Sequence, residues 1–250
     1  MGEKISNGRM ASESRLPSGP QRARLVREMF DRIAGRYELL NTIMTGGLHR
    51  LWNREVVRAT GLGSGGRALD LACGTGSLTR DLAKQVGPEG YVLGIDFSRE
   101  MLRAARYRPS RNIEYRLGDA TDLEDVPSGA FDVATIAYGA RNIPDLNALF
   151  SEMTRCLRPG GVAVCLEIAQ PESRVFAVFY GLWFEKIVPR MGAWISGDTW
   201  AYSYLPESVK EFVAPEELSD IMERSGLQDV TWRRLAGGII TLHRGTRRRP

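Results

Sequence analysis

The stretch Ala68-Leu69-Asp70-Leu71-Ala72-Cys73-Gly74-Thr75-Gly76, with the pair Ile95-Asp96 closing the next apolar run, constrains this chain more than any other feature. An apolar strand ends there, two glycines let the backbone turn tightly against a ligand, and a carboxylate one strand later can accept both hydroxyls of a ribose. Together they predict a βαβ unit that binds a nucleoside. A dinucleotide fingerprint would place a third glycine where Thr79 stands, and it has no need of an acid four residues before Gly74, where Asp70 stands. A dinucleotide enzyme or a chance loop is the competing reading.

The rest of the chain alternates strand and helix signals. From Leu25 the spacing Val26, Met29, Phe30, Ile33 makes one helical face, and Leu48, Leu51, Trp52, Val56 and Val57 make a second. These predict a helical cap over residues 21–60, above the ligand edge of the sheet. Strands are expected at 67–72, 91–95, 113–117, 131–136 and 162–168, and helices at 77–86, from Arg99, and at 146–157. Ser98 can cap the helix that follows it. Arg158-Pro159-Gly160-Gly161 reads as a breaker cluster, and 228–235 with 238–243 as a closing β-hairpin. The whole is a doubly wound parallel α/β sheet, with ligands at the carboxyl ends of its strands.

At 250 residues, 43% hydrophobic and 26% charged, one domain with modest insertions suffices. The net charge of +4 gathers at the ends, in Arg9, Arg15, Arg22, Arg24 and Arg27 and in Arg247, Arg248 and Arg249, which read as solvated tails. Residues 1–20 lack hydrophobic periodicity and are expected to be disordered, 21–245 to form the domain, and 246–250 to be a basic tail. Cys73, Cys156 and Cys165 read as reduced core residues of a cytoplasmic protein. Two histidines and no close cysteine pair give no metal site. No run approaches the ~18 apolar residues of a membrane span, and no signal peptide is visible.

Residues 172–213 break the rhythm and hold ten of the chain's twenty-one aromatic side chains, among them Phe179, Trp183, Tyr202 and Tyr204. A stripe at Val175, Phe179, Leu182 and Trp183 fits a helix packed on the sheet. The excess of rings favours a lid over an apolar pocket.

The pattern acid-x-x-x-Gly-x-Gly at Asp70–Gly76 resembles motif I of the class I S-adenosylmethionine (SAM) methyltransferases. Outside it, Phe30-Asp31-Arg32-Ile33-Ala34-x-x-Tyr37, Asn41, Gly47-Leu48-His49-Arg50-Leu51-Trp52, Tyr138-Gly139-Ala140-Arg141-Asn142, Leu157-Arg158-Pro159-Gly160-Gly161, Leu166-Glu167, Tyr202-x-Tyr204-Leu205-x-x-Ser208 and Leu242-His243-Arg244-Gly245 together resemble the ubiquinone/menaquinone biosynthesis C-methyltransferase family over residues 25–245. The resemblance implies a Rossmann-like fold and methyl transfer from SAM to a ring carbon of a polyprenylated hydroquinone. The acceptor would be demethylmenaquinol, or alternatively the benzoquinol of ubiquinone synthesis. It also implies SAM contacts at Asp70, Gly74, Thr75, Gly76, Asp96, Phe97, Asp119 and Ala120. The family often has Asn at Asp119 and Ser at Ala137, where alanine has no hydroxyl to offer SAM.

Residue chemistry nominates the acceptor side. A ring carbon becomes nucleophilic when the neighbouring phenol ionises, and a fixed guanidinium favours the phenolate. Arg141, on the loop after the fourth strand, is the candidate, with Asn142 orienting a quinol oxygen; the competing reading of Arg141 is a surface loop cation. Tyr37, Tyr202 and His243 are weaker candidates for hydrogen bonding or for removing the ring proton. Weak peripheral contact with the inner face of the cell membrane is expected, no nucleic-acid partner is, and a homodimer is compatible with the sequence. A nucleic-acid methyltransferase would need rings interleaved with basic residues, which the apolar setting of these aromatics does not offer. A SAM-binding scaffold without methyl transfer is the other rival.

Overall fold

The computed structural model describes residues 19–170 and 199–249. The expected disordered tail, apart from residues 19 and 20, and the helical stripe of the aromatic insertion lie outside these residues, as does the side chain of Tyr202.

Each apolar run becomes a strand: β1 (Arg67–Leu71), β2 (Tyr91–Asp96), β3 (Ile113–Leu117), β4 (Phe131–Ala137), β5 (Leu157–Ile168), β6 (Leu227–Leu235) and β7 (Ile240–Arg247). They pair in the order β3-β2-β1-β4-β5-β7-β6, parallel from β3 to β5 and antiparallel through the terminal hairpin. The chain reverses its direction of winding between β1 and β4, and ligands of such sheets sit in the crevice outside that switch.

Period-two alternation sorts the core into two layers. Leu69, Leu71, Leu93, Ile95, Ala134 and Ile136 face α6 (Leu146–Cys156) and α8 (Pro215–Arg224), meeting Leu149, Phe150, Met153, Leu218 and Met222. Ala68, Val92 and Val133 face the other way, onto Trp52 and Val56 of α3 (His49–Thr60) and Leu78, Leu82 and Val86 of α4 (Ser77–Val86). Asp70 shares this second face.

α1 (Gly19–Ile33) and α2 (Tyr37–Thr45) make the cap, burying Val26, Met29, Ile33 and Leu40 with Met101 of α5 (Arg99–Arg106) and Tyr204 of α7 (Thr199–Glu211). Ser98 caps α5 as expected, accepting from the Met101 N–H at 3.1 Å, and its hydroxyl also donates to Asp31 of α1 at 2.5 Å. Arg22 bridges α1 to Glu211 of α7 at 2.8 Å and lies over the Tyr204 ring, while Arg27 lies over Phe97. These two arginines therefore staple the cap, where the sequence reading made them a solvated tail.

Three further expectations change. α2 was not expected; it closes on Gly46 in the left-handed region. Arg158–Gly161 does not interrupt the fifth strand, because Leu157 pairs with Phe131 and Val162 with Val133, so the four residues bulge out of a continuous ladder. At the C-terminus, Thr246 and Arg247 belong to β7 rather than to a tail, and Arg247 donates to the carbonyls of Arg155 at 2.9 Å and of Leu157.

Candidate functional site

Register explains the first wall of the site. Asp70 lies opposite Gly94 of β2 and Thr135 of β4, so its carboxylate receives the Thr135 hydroxyl at 2.8 Å and the Thr79 hydroxyl of α4 at 2.6 Å. Thr79, which took the place of a third glycine, is thus the partner that holds Asp70. Burial drives the Asp70 pKa up to about 6, against the lowering effect of those two hydroxyls. The strand then turns through Ala72, at φ 49°, into Gly74 and Gly76, both in the left-handed region. A side chain at Gly76 would strike the Tyr115 hydroxyl at 2.2 Å, so only glycine turns here.

Asp96 at the tip of β2 holds this turn from the side. Its two oxygens accept from the Gly74 N–H at 2.7 Å and the Ser98 N–H at 2.9 Å, and burial lifts its pKa to about 6. Asp96 therefore shapes the glycine turn as well as offering its remaining lone pairs. Arg80, which the sequence reading passed over, ties the turn to the cap by donating to the Thr75 carbonyl at 2.7 Å and to Glu38 of α2 at 2.8 Å. An arginine one turn into the helix after the motif was the available signal.

A second strained residue marks the facing strand. Tyr138, directly after β4, has φ 58°, so both strands flanking the winding switch end in non-glycine residues held left-handed. The backbone then enters a short 3₁₀ turn at Ala140–Asn142. Arg141 on this turn is buried, and its Nη1 donates to Glu167 Oε1 and to the Tyr138 carbonyl, each at 2.6 Å. Glu167 is fully buried in β5, and its other oxygen accepts from the Arg141 N–H at 3.2 Å. Burial pulls the guanidinium pKa down, and the Glu167 charge more than restores it, so Arg141 stays protonated. Arg141 is thus half of a buried ion pair, neither a lone cation nor a surface one. Its Nε is buried without a partner among the described residues.

Between these walls and the cap lies a cavity of about 830 Å³. Asp70, Gly74, Thr75, Tyr37, Ala137 and Arg141 reach its lining, together with Met29, Phe30, Leu40 and Tyr204. Cys73 lines it too, half-buried, so it is not a core residue like the buried Cys156 and Cys165. Asn142 stands just behind, its side-chain carbonyl accepting from the Tyr204 hydroxyl at 2.9 Å. Burial raises the Tyr37 pKa above its ordinary value, which suits a hydrogen-bond donor and not a base.

The nominated adenosine positions lie off this lining. Phe97 packs edge-on against Phe30 of the cap, Ala120 sits in the core, and Asp119 accepts from the Thr121 N–H and hydroxyl at 2.9 and 2.7 Å. His243 is a correction. It is buried in the middle of β7, stacked on Trp232, and its Nε2 donates to the Pro215 carbonyl at 2.9 Å. Burial lowers its pKa to about 4, so it is neutral, walled off from the cavity, and has no catalytic geometry. Among the described residues no group of three His, Cys, Asp or Glu side chains could hold a metal ion, and no helix is long and apolar enough to cross a membrane.

The fold is that of known methyltransferases. A SAM dependent methyltransferase from Aquifex aeolicus superposes with a TM-score of 0.58 at 18% identity, covering 78% of this chain and 88% of its own. The [4+2]-cyclase SpnF superposes with a TM-score of 0.68 at 17% identity, covering 94% and 99%. Sequence relatives are much nearer. The demethylmenaquinone methyltransferase of Desulfitobacterium hafniense is 39% identical over 237 residues, 93% of each chain. The ubiquinone/menaquinone biosynthesis C-methyltransferase UbiE of Stutzerimonas stutzeri is 37% identical over 230 residues, 90% of each. With the family model matched across residues 18–247, around a glycine turn and a cavity built as described above, this chain belongs to the ubiE/COQ5 methyltransferase family.

Proposed function

We propose that this chain transfers a methyl group from SAM to a ring carbon of a polyprenylated hydroquinone, demethylmenaquinol becoming menaquinol. The observation that carries the reading is one cavity that joins the Gly74-Thr75 turn to Arg141 across a largely apolar lining. Names of the relatives at 37–39% identity point to the same chemistry. They include both quinone types, so the benzoquinol of ubiquinone synthesis is the second reading.

The residues fit the cofactor. The turn is open above Gly74, where an added Cβ would meet nothing nearer than the Tyr37 ring at 4.0 Å, and Asp96 has lone pairs beyond its two backbone bonds. Gly74, Thr75 and Asp70 would hold the amino-acid end, and the adenosine would extend beyond the cavity lining toward Asp96 and the exposed Asp119, with Phe97 and Ala120 packed behind. SAM supplies an electrophilic methyl on a sulfonium.

The chain's own residues prepare the acceptor. Arg141 offers donors to a quinol oxygen from a fixed orientation, because Glu167 and the Tyr138 carbonyl hold one edge of its fork. Since the ion pair is neutral as a unit, its contribution is directed hydrogen bonding more than net charge. Tyr37 adds a protonated phenol, and Tyr204, fixed by Asn142, closes the cavity from the α7 side. Joining phenolate and sulfonium destroys charge, so an apolar enclosure that excludes water and aligns the two favours the step.

The test is transfer of labelled methyl from SAM to a short-tail demethylmenaquinol, with the product read by carbon NMR. An aryl-methyl resonance, formed only with the reduced quinol, supports the reading. A methoxy product, or equal rates with the oxidised quinone, refutes it.

A further inference from the structure

Among the described residues, one part of the cap stands exposed. Leu39, Leu48 and Leu51 are 54%, 46% and 50% exposed, three of the five exposed large hydrophobic side chains among the described residues, and they fall within thirteen consecutive positions. Single exposed leucines are ordinary. These differ in company. Leu48 and Leu51 stand one helical turn apart and share a face, while Arg50 and Arg54, spaced i and i+4, stand exposed beside them. Neither arginine is ion-paired with a described acid, whereas the other acids at this corner are occupied: Glu38 by Arg80 and Arg108, Glu55 by Arg58 and Arg233. Leu48, Arg50 and Arg54 also line the cavity, so the patch is the outer lip of the same opening.

We propose that this α2–α3 corner is a docking surface for an anionic lipid bilayer, through which the acceptor's isoprenoid tail passes between membrane and cavity. The inference rests on the quinol reading given above. Apolar side chains ringed by unpaired arginines match the boundary between acyl chains and acidic headgroups. A second copy fits poorly, because a two-fold contact would set Arg50 and Arg54 against their own equivalents. A bilayer also explains why the opening itself carries the leucines: an exposed polyprenyl chain would otherwise cross water to reach the cavity. This places on the cap the peripheral membrane contact that the sequence reading expected.

The test uses the full chain and sucrose-loaded vesicles of phosphatidylcholine, alone or with about a third phosphatidylglycerol. Binding should be weak on the neutral vesicles and strong on the acidic ones. Leu39→Glu/Leu51→Glu, at two positions outside the cavity lining, should lower binding about tenfold or more, since it replaces inserted apolar area with charge. Arg50→Gln/Arg54→Gln should lower it roughly fivefold per arginine on acidic vesicles only. The leucine variant should keep its thermal melt and its rate on a detergent-dispersed short-tail quinol, and lose activity on a long-tail quinol embedded in vesicles. If the wild-type chain ignores acidic vesicles, or the leucine variant binds them as well as wild type, the surface is wrong. A change in sedimentation coefficient in the leucine variant without any wild-type vesicle binding overturns it in favour of a subunit contact. Vesicle binding is read without turnover, so the predicted binding pattern with no methylation of any quinol would remove the acceptor reading and support the docking surface.

Discussion

Glu167→Gln separates the two things the buried ion pair can do. In the native chain Oε1 accepts from Arg141 Nη1 at 2.6 Å and from the Ile168 N–H at 2.8 Å, and Oε2 accepts from the Arg141 N–H at 3.2 Å. A glutamine oxygen can keep the first two bonds, but its NH₂ then faces the Arg141 N–H, donor against donor. The guanidinium is left buried and uncompensated, which costs about 3–5 kcal/mol. Against a total of about 5–15 kcal/mol for a native domain, that loss is large and measurable by urea unfolding. The Arg141 fork should also lose its fixed orientation, and misplacement on the order of 1 Å costs about 100-fold in rate. Removing both partners in Arg141→Met/Glu167→Leu should recover most of the about 3–5 kcal/mol lost in the single variant and leave the enzyme slow. From the single to the double variant stability then rises while activity stays low. The reasoning fails if Glu167→Gln costs less than about 1 kcal/mol, or if the double variant is no more stable than Arg141→Met alone. Faster turnover in Glu167→Gln would also refute it, because that is the outcome if Arg141 worked through net charge.

Four further outcomes can be checked. Asp96→Ala should weaken SAM binding by about 2–3 kcal/mol in calorimetric titration, since it removes the charged hydrogen bond to the Gly74 turn and the ribose bonds that the proposed reading gives it; unchanged affinity would take Asp96 out of the site. The pKa values of Asp70 and Asp96 rise from an ordinary 3.8 to about 6, so between those values the folded chain holds protons that the unfolded chain releases. Their contribution to stability therefore falls as pH climbs through that window, and Asp70→Asn should flatten a plot of unfolding free energy against pH there. Gly139→Ala should destabilise by about 1–3 kcal/mol in urea unfolding, because its Cβ would meet the Ala72 Cβ across the winding switch at 2.6 Å. Methyl transfer should survive EDTA, since the acids nearest the glycine turn are engaged by Thr79, Thr135 and backbone N–H groups; restoration by Mg²⁺ after chelation would overturn that.

Much of the fold was legible because period-two and period-3.6 patterns are set by burial, and burial dominates the sheet and its two helical layers. What stayed hidden was set by partners distant in the chain. α2 carries Leu39 outward and Leu40 inward, so its apolar residues make no clean stripe, and only the packed cap reveals it as a helix. Arg158–Gly161 reads as a helix stop ahead of a strand that begins at Val162, because proline and glycine end helices. The strand survives by displacing those residues, while Phe131–Leu157 pairing resumes the sheet behind them. Arg22 and Arg27 looked like tail charge until Glu211, Tyr204 and Phe97 were brought beside them.

The site shows the same division, with a sharper consequence. Asp70, Gly74, Thr75 and Asp96 were readable because one short segment and one strand tip determine the glycine turn locally. His243 was misplaced because a polar residue in a β-strand can face a ligand or a carbonyl, and only register decides; here the Pro215 carbonyl accepts its N–H. Glu167 left a clue that composition could have supplied: a carboxylate inside the apolar run Val162–Ile168 is costly unless an opposite charge meets it. The Arg141 guanidinium at the cavity meets that need. The pair must then form as the sheet closes, since Arg141 follows β4 and Glu167 ends the neighbouring β5. Folding itself therefore orients the donor fork toward the cavity before any ligand arrives, and on the proposed reading an acceptor oxygen would meet hydrogen bonds whose ordering entropy has already been spent.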